Sequence, residues 1–157
     1  MTFKNFRSFF FVLIIFLLDR LTKIYIINHA ESYGEFNIFL SQFLNLNLIW
    51  NDGIAFGLFS LKENLHYNIL TAIILLITLI ILWMATRTNG FEKFAFLMIF
   101  GGSVGNIFDR IYYSSVPDFI DLHINNFHWF IFNVADIFIT LGVIFLIYLE
   151  LFLKKKV

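Results

Sequence analysis

Ile69-Leu70-Thr71-Ala72-Ile73-Ile74-Leu75-Leu76-Ile77-Thr78-Leu79-Ile80-Ile81-Leu82-Trp83-Met84 carries no charged side chain and only two hydroxyls. With its apolar flanks it extends over about 65–85, the length of about 20 helical residues that crosses a hydrocarbon core about 30 Å thick at about 1.5 Å per residue. Three more stretches have comparable length and character, at about 9–27, 94–113 and 129–153. The chain as a whole agrees. It is 60% hydrophobic and 14% charged, with 23 Phe in 157 residues, whereas soluble domains carry about 25% charged residues. A globule this small has too little interior for so much apolar surface. The expected fold is an all-α polytopic membrane protein with four transmembrane helices, and residues 1–157 read as a single integral-membrane domain.

The ends of the spans set the orientation. Lys4 and Arg7 precede the first apolar run, but no A-x-A cleavage site follows, so it reads as a retained helix rather than a signal peptide. With the N-terminus inside, Lys4, Arg7, Arg87, Lys93, Lys154, Lys155 and Lys156 are cytoplasmic, against Arg20, Lys23, Lys62 and Arg110 on the outer side. The positive-inside rule then puts both termini in the cytoplasm. Trp50, Tyr112, Tyr113 and Trp129 gather at the outer interface and Trp83 and Tyr148 at the inner one, where amphipathic rings are favoured. With 11 basic and 11 acidic residues there is no net field to attract nucleic acid. The absence of Cys excludes disulfides, thiolate metal sites and a cysteine nucleophile.

Two outer loops follow, about 28–64 and 114–128. The first contains Leu44-Asn45-Leu46-Asn47-Leu48-Ile49-Trp50-Asn51, whose alternation predicts a half-buried strand with Leu44, Leu46, Leu48 and Trp50 on one face and Asn45, Asn47 and Asn51 on the other.

The polar residues within the spans are the informative ones. Asp19, Lys23, Asn106, Asp109, Arg110, Asn133 and Asp136 fall in the outer halves of three helices, where a charge costs at least about 2.5–3.5 kcal/mol. Helical spacing groups them: Gly102, Asn106 and Arg110 at i, i+4, i+8 with Asp109 beside them; Asn133, Asp136 and Thr140 at i, i+3, i+7; Asp19 and Lys23 at i, i+4. Asp19–Lys23 and Asp109–Arg110 each offer an acid a base within reach, as expected of structural ion pairs. Asp109 is therefore assigned a structural role, paired with Arg110 or with another helix.

Asp136 has no cation on its helix before Lys154, and Asp118 stands between Pro117 and Phe119 at an apolar boundary. Two carboxylates brought close cannot both ionise cheaply and share one proton. The charged member can take a proton from water while the neutral one donates to a carbonyl oxygen, which hydrolyses an amide without metal or covalent intermediate. Asp118 and Asp136 are the expected dyad, with Asn106 and Asn133 as hydrogen-bonding supports.

Five short boxes lie in order along essentially the whole chain: Asp19-Arg20-Leu21-Thr22-Lys23; Asn51-Asp52-Gly53-Ile54-Ala55-Phe56-Gly57; Gly101-Gly102-Ser103-Val104-Gly105-Asn106-Ile107-Phe108-Asp109-Arg110; Val116-Pro117-Asp118-Phe119; and Phe132-Asn133-Val134-Ala135-Asp136. Together they resemble the type II (lipoprotein) signal peptidases of bacteria. The resemblance implies an aspartic intramembrane endopeptidase that removes the signal peptide of a prolipoprotein before its diacylglyceryl-modified cysteine, with Asp118 and Asp136 catalytic. It also implies a small extracytoplasmic β-sheet, membrane lipid as neighbour, and residence in the bacterial cytoplasmic (inner) membrane with the site near the outer leaflet. Asn51, Gly102, Asn106, Arg110, Asn133, Asp19 and Lys23 would bind substrate or support the dyad. The sequence departs from the family pattern at Arg20, usually Gln, and at Ile54, often Ala.

Other readings are weaker. Gly101-x-Ser103-x-Gly105 spells a serine-hydrolase elbow but sits inside a continuous apolar helix rather than at a strand-to-helix turn; Gly101-x-x-x-Gly105 is better explained as a close-packing face. A Ser103–Lys23 hydrolase suffers because Asp19 would keep Lys23 charged. His29, His66, His123 and His128 match no ligand spacing in sequence, so neither metal nor other cofactor is expected. A small proton-coupled carrier using the buried aspartates is the rival from another class, disfavoured by the lack of inverted repeats and broken-helix pairs.

Overall fold

The structure is a computed structural model that describes residues 3–53, 64–125 and 127–153. Ile54 to Gly57, Lys62 and Lys154 to Lys156, all used in the reading above, lie outside the described residues. Helix α1 spans Phe3–Tyr33, followed by strands β1 (Asn37–Ser41) and β2 (Leu44–Asn51), helices α2 (Asn64–Arg87) and α3 (Gly90–Tyr113), strands β3 (Val116–Ile124) and β4 (Phe127–Phe132), and helix α4 (Val134–Tyr148), which ends in a π-helical turn over Leu149–Leu153.

Among the described residues three helical segments, Tyr67–Arg87, Gly90–Tyr113 and Val134–Leu153, are long and apolar enough to cross a membrane. Helix α1 has the length but carries Asp19, Arg20 and Lys23. Of the three apolar windows, 67% of that on α3 is buried within the protein against 11% of those on α2 and α4, so α3 is the helix around which the others pack. Glycines allow the approach. A Cβ on Gly101 would stand 3.1 Å from Ile15 of α1, one on Gly105 would stand 2.6 Å from the Asp19 carboxylate, and one on Gly102 would overlap the Ala135 carbonyl of α4. The face expected from Gly101-x-x-x-Gly105 is thus the α1–α3 crossing, and Gly102 serves the α3–α4 crossing.

The four strands form one antiparallel sheet in the order β1-β2-β3-β4. The expected strand over 44–51 is β2, and Leu46 and Leu48 pack on the cluster of Ile26, Phe36 and Phe119. Strand β3 reverses the usual logic. Asp118, Asp121 and His123 are buried while Leu122 and Ile124 are 38% and 52% exposed. The helix expected from about Trp129 begins only at Val134, because Phe127–Phe132 is taken by β4, paired with β3 from Ile124↔Phe127 to Ile120↔Phe132. Ser114, left-handed at φ 58°, ends α3 and turns the chain into β3.

Candidate active site

Asp118 sits early in β3, where Ile49 of β2 is its register partner. Asn51, two residues along β2, is its diagonal neighbour on the same face, and the Asn51 Nδ2 donates to Asp118 Oδ2 at 2.8 Å. On the other side Asn133 Nδ2 donates to Asp118 Oδ1 at 2.6 Å. Asn133 is the N-cap of α4 and Asp136 its third helical residue, and the two close a capping box: Asp136 N donates to Asn133 Oδ1 and Asn133 N donates to Asp136 Oδ2, each at 3.1 Å. Asn133 therefore holds both aspartates, one through its side chain and one through its backbone. The last carboxylate oxygen, Asp136 Oδ1, accepts from Asn106 Nδ2 of α3 at 2.8 Å.

Each asparagine is fixed in its orientation by what its own oxygen accepts. Asn51 Oδ1 takes Gly53 N at 2.9 Å, Asn133 Oδ1 takes Asp136 N, and Asn106 Oδ1 takes Lys23 Nζ at 3.0 Å. With the oxygen committed, each amide NH2 can only face a carboxylate. Four carboxylate oxygens thus meet four donors. The two acids still differ in surroundings. Asp118 is 3% exposed, and burial, followed by the Asp136 charge, pushes its carboxyl up to about 6 against the pull of Asn51 and Asn133. Asp136 is half-buried and forms part of the wall of a cavity of about 540 Å³ whose other lining includes Phe130, Phe132, Ile137, Thr140 and Leu141.

Below the aspartates lies a second layer. Lys23, fully buried, donates to Asp19 Oδ2 at 2.9 Å, Asp109 Oδ2 at 2.6 Å and Asn106 Oδ1. The other oxygen of Asp19 accepts the backbone N–H of Ala135 at 2.9 Å, tying α1 to the first turn of α4. The expected Asp19–Lys23 pair is present. Of the two partners expected for Asp109, Arg110 or another helix, it takes the second: Asp109 is held by Arg20 and Lys23, both from α1. Arg110 instead donates to the Gly53 carbonyl at 2.8 Å and the Asn106 carbonyl at 3.3 Å, so it braces the segment that presents Asn51. Arg20, noted in sequence as an outer-side cation and as a departure from the family pattern, is the residue whose role that reading missed. Its guanidinium binds Asp109 and lies over the Phe108 ring, 5.0 Å from its centroid. Ser103 is buried within α3, and the Lys23 ammonium is bound by two carboxylates, as suits neither partner of a serine–lysine pair.

Compared with known proteins, the chain is similar to two solved structures, each described as a bacterial membrane enzyme structure by the in meso method, at 2.3 and 1.9 Å resolution; the TM-scores are 0.71 and 0.70 at 28% identity, with 96% of this chain covered and 93% and 94% of theirs. A polar cluster enclosed by membrane-type helices and roofed by a sheet therefore belongs to a class of bacterial membrane enzymes. Sequence relatives narrow the class. The lipoprotein signal peptidase of Pelagibacter ubique (strain HTCC1062) is 50% identical over 154 residues, 98% of this chain and 93% of that one, and its namesake in Anaplasma phagocytophilum (strain HZ) is 38% identical over 146 residues, 91% and 89%. The profile of the signal peptidase (SPase) II family matches residues 11–152. The chain belongs to the signal peptidase II family and is a peptidase of the membrane. The carrier reading of its buried aspartates finds no support among these relatives.

Proposed function

We propose that the protein removes the signal peptide from prolipoproteins as an aspartic endopeptidase, cutting before the diacylglyceryl-modified cysteine with Asp118 and Asp136 as the dyad. The observation that carries this reading is the bridge through Asn133, which binds one oxygen of each acid while Asn51 and Asn106 bind the others. Asp118, buried and raised to about 6, is suited to hold the shared proton. Asp136, half-buried beside the cavity, is suited to accept a proton from water. Water attacks the scissile carbonyl carbon as Asp136 takes its proton and Asp118 protonates the carbonyl oxygen. The resulting tetrahedral diol collapses as the carboxylate on Asp118 takes a proton from a hydroxyl and Asp136 returns one to the leaving amine.

In this proposal α1 is the fourth crossing. Its charges bond to α3 and α4 rather than facing lipid, which is how a charged helix is tolerated in a bilayer. Both termini are cytoplasmic in the bacterial inner membrane, the sheet lies outside, and the dyad sits near the outer leaflet. The apolar cavity against Asp136 suits the signal-peptide side chains or the acyl chains beside the cut. The test is cleavage of a lipidated precursor by purified protein in detergent. Asp118→Asn and Asp136→Asn should each abolish release of the signal peptide while the protein stays folded. Retention by either of more than about a tenth of the wild-type rate, about 1.4 kcal/mol of barrier, would overturn the dyad. An unlipidated precursor cut with equal kcat/KM would remove lipid recognition from the mechanism.

A further inference from the structure

At the far end of the β3–β4 hairpin, three potential ligands converge that are scattered in sequence. Asp121 and His123 are alternate residues of β3 and share a face; His128 is the register partner of His123 across on β4. One ligand atom from each lies within 4.8 Å of the others. The His123 and His128 rings run nearly parallel, 29° apart with centroids at 5.4 Å, and His128 Nδ1 stands 2.8 Å from Asp121 Oδ2. We propose that Asp121, His123 and His128 form a binding site for a divalent transition-metal ion, Zn²⁺ being the probe of choice.

Two features go beyond proximity. The Asp121 carboxylate is 1% exposed, yet its hydrogen-bond partner is a His128 side chain that is 51% exposed. Buried carboxylates are paired with a cation or coordinate a metal. His123 is 8% exposed and its Nδ1 has no hydrogen-bond partner among the described residues. A buried ring nitrogen without a hydrogen-bond partner is available to ligate a metal. Geometry is compatible. Bonds of about 2.0–2.2 Å place neighbouring donors on a tetrahedron about 3.3 Å apart, which lies between the 2.8 Å and 4.8 Å found here, and the His128 side chain is 51% exposed. Two imidazoles and one carboxylate select Zn²⁺ and its transition-metal neighbours over Mg²⁺ or Ca²⁺, which prefer all-oxygen shells.

The site is separate from the dyad. Asp118 and Asp121 are three apart on β3, so their side chains leave opposite faces of the strand. A metal here would pin β3, which carries Asp118, to β4, which leads into Asn133 and Asp136.

The experiment is calorimetric titration of Zn²⁺ into the full chain, purified metal-free in detergent with its affinity tag removed. One Zn²⁺ per chain with Kd below about 1 μM is expected, with no heat from Mg²⁺. His128→Ala and His123→Ala should each weaken binding at least about tenfold. Because His128 is half-exposed, its variant keeps the fold even if the His123 variant does not, and thermal unfolding verifies this. Asp118→Asn/Asp136→Asn together should leave the affinity unchanged. Absence of binding at a Zn²⁺ concentration about 100-fold higher, undiminished binding in His128→Ala, or loss of binding in the double aspartate variant would each overturn the proposal, the last by moving the metal to the dyad.

Discussion

Lys23→Met tests how far the lower polar layer supports the upper one. The ammonium of Lys23 is 0% exposed and spends its three donors on Asp19, Asp109 and Asn106 at 2.9, 2.6 and 3.0 Å. Met fills most of the stem volume and removes the charge. Removing one partner of a buried ion pair costs about 3–5 kcal/mol, because the other charge stays buried without compensation. Two carboxylates lose a cation here, but Asp109 keeps Arg20 and Asp19 keeps the Ala135 N–H, so about 4 kcal/mol is expected rather than twice that. At about 2–4 °C per kcal/mol for a chain of this size, the melting temperature in detergent should fall by about 8–16 °C. Asp19→Asn added to Lys23→Met should recover part of the loss by neutralising the stranded acid.

Activity should respond less than stability. Without Lys23 the Asn106 oxygen has no fixed donor, the amide can turn over, and Asp136 Oδ1 loses its partner. One hydrogen bond to a charged group is worth about 1.5–3 kcal/mol, so kcat/KM measured below the variant's melting range should fall about 10- to 100-fold. A melting temperature within about 2 °C of wild type would refute the claim that this layer is held by Lys23. A folded variant as inactive as Asp118→Asn would instead put Lys23 in the chemistry.

Asn51→Ala removes the donor 2.8 Å from Asp118 Oδ2 and should lower kcat/KM for the lipidated precursor about 10- to 100-fold without changing the melting temperature; an unchanged kcat/KM would leave Asn51 a turn residue. Arg20→Gln, the residue more usual in the family, should cost no more than about 2 kcal/mol in thermal unfolding, because Lys23 still neutralises Asp109; a loss as large as that of Lys23→Met would show that Arg20 is the principal partner. Asp118, raised from 3.8 to about 6, binds its proton more tightly folded than unfolded, so its contribution to stability is full below about pH 3.8 and is lost as pH rises through about 6. Asp118→Asn does not titrate, so between pH 4 and pH 8 the stability difference should move in the variant's favour by up to about 3 kcal/mol; a difference that does not move with pH would mean an ordinary carboxylate.

Helices and one strand were legible in sequence from the length of their apolar runs and from alternation. The unbroken run Ile69 to Met84 lies within α2, and the Leu/Asn alternation of 44–51 is β2. Strand β4 was hidden because Phe127 to Phe132 joins the apolar helix behind it, and a short apolar run does not declare its own period. The signal that separates them is Asn133-x-x-Asp136, a capping box that marks the start of α4 at Val134. Strand β3 was hidden because polar residues from both of its faces, Asp118, Asp121 and His123, are buried while Leu122 and Ile124 are exposed. Of the two partners offered for Asp109, Arg110 is disfavoured by adjacency, because consecutive helical residues point about 100° apart and do not face each other. Asp109 faces α1, where Arg20 and Lys23 reach it from two positions three apart on one face.

The dyad itself was legible as two acids without cations, but what makes them unequal was not. Asp118 and Asp136 receive the same number of side-chain and backbone donors from the asparagines around them, so hydrogen bonding alone would not separate them. Position separates them. Asp118 is on a strand between two others and is sealed from solvent, whereas Asp136 is in the first turn of α4 and opens on the cavity beside Phe130 and Phe132. The same capping geometry that starts α4 therefore fixes Asp136 beside the cavity while the Asn133 side chain donates to Asp118. Removing the cap should thus disturb both acids at once, which is why Asn133, although it is neither acid nor base, belongs with the dyad rather than with the bundle.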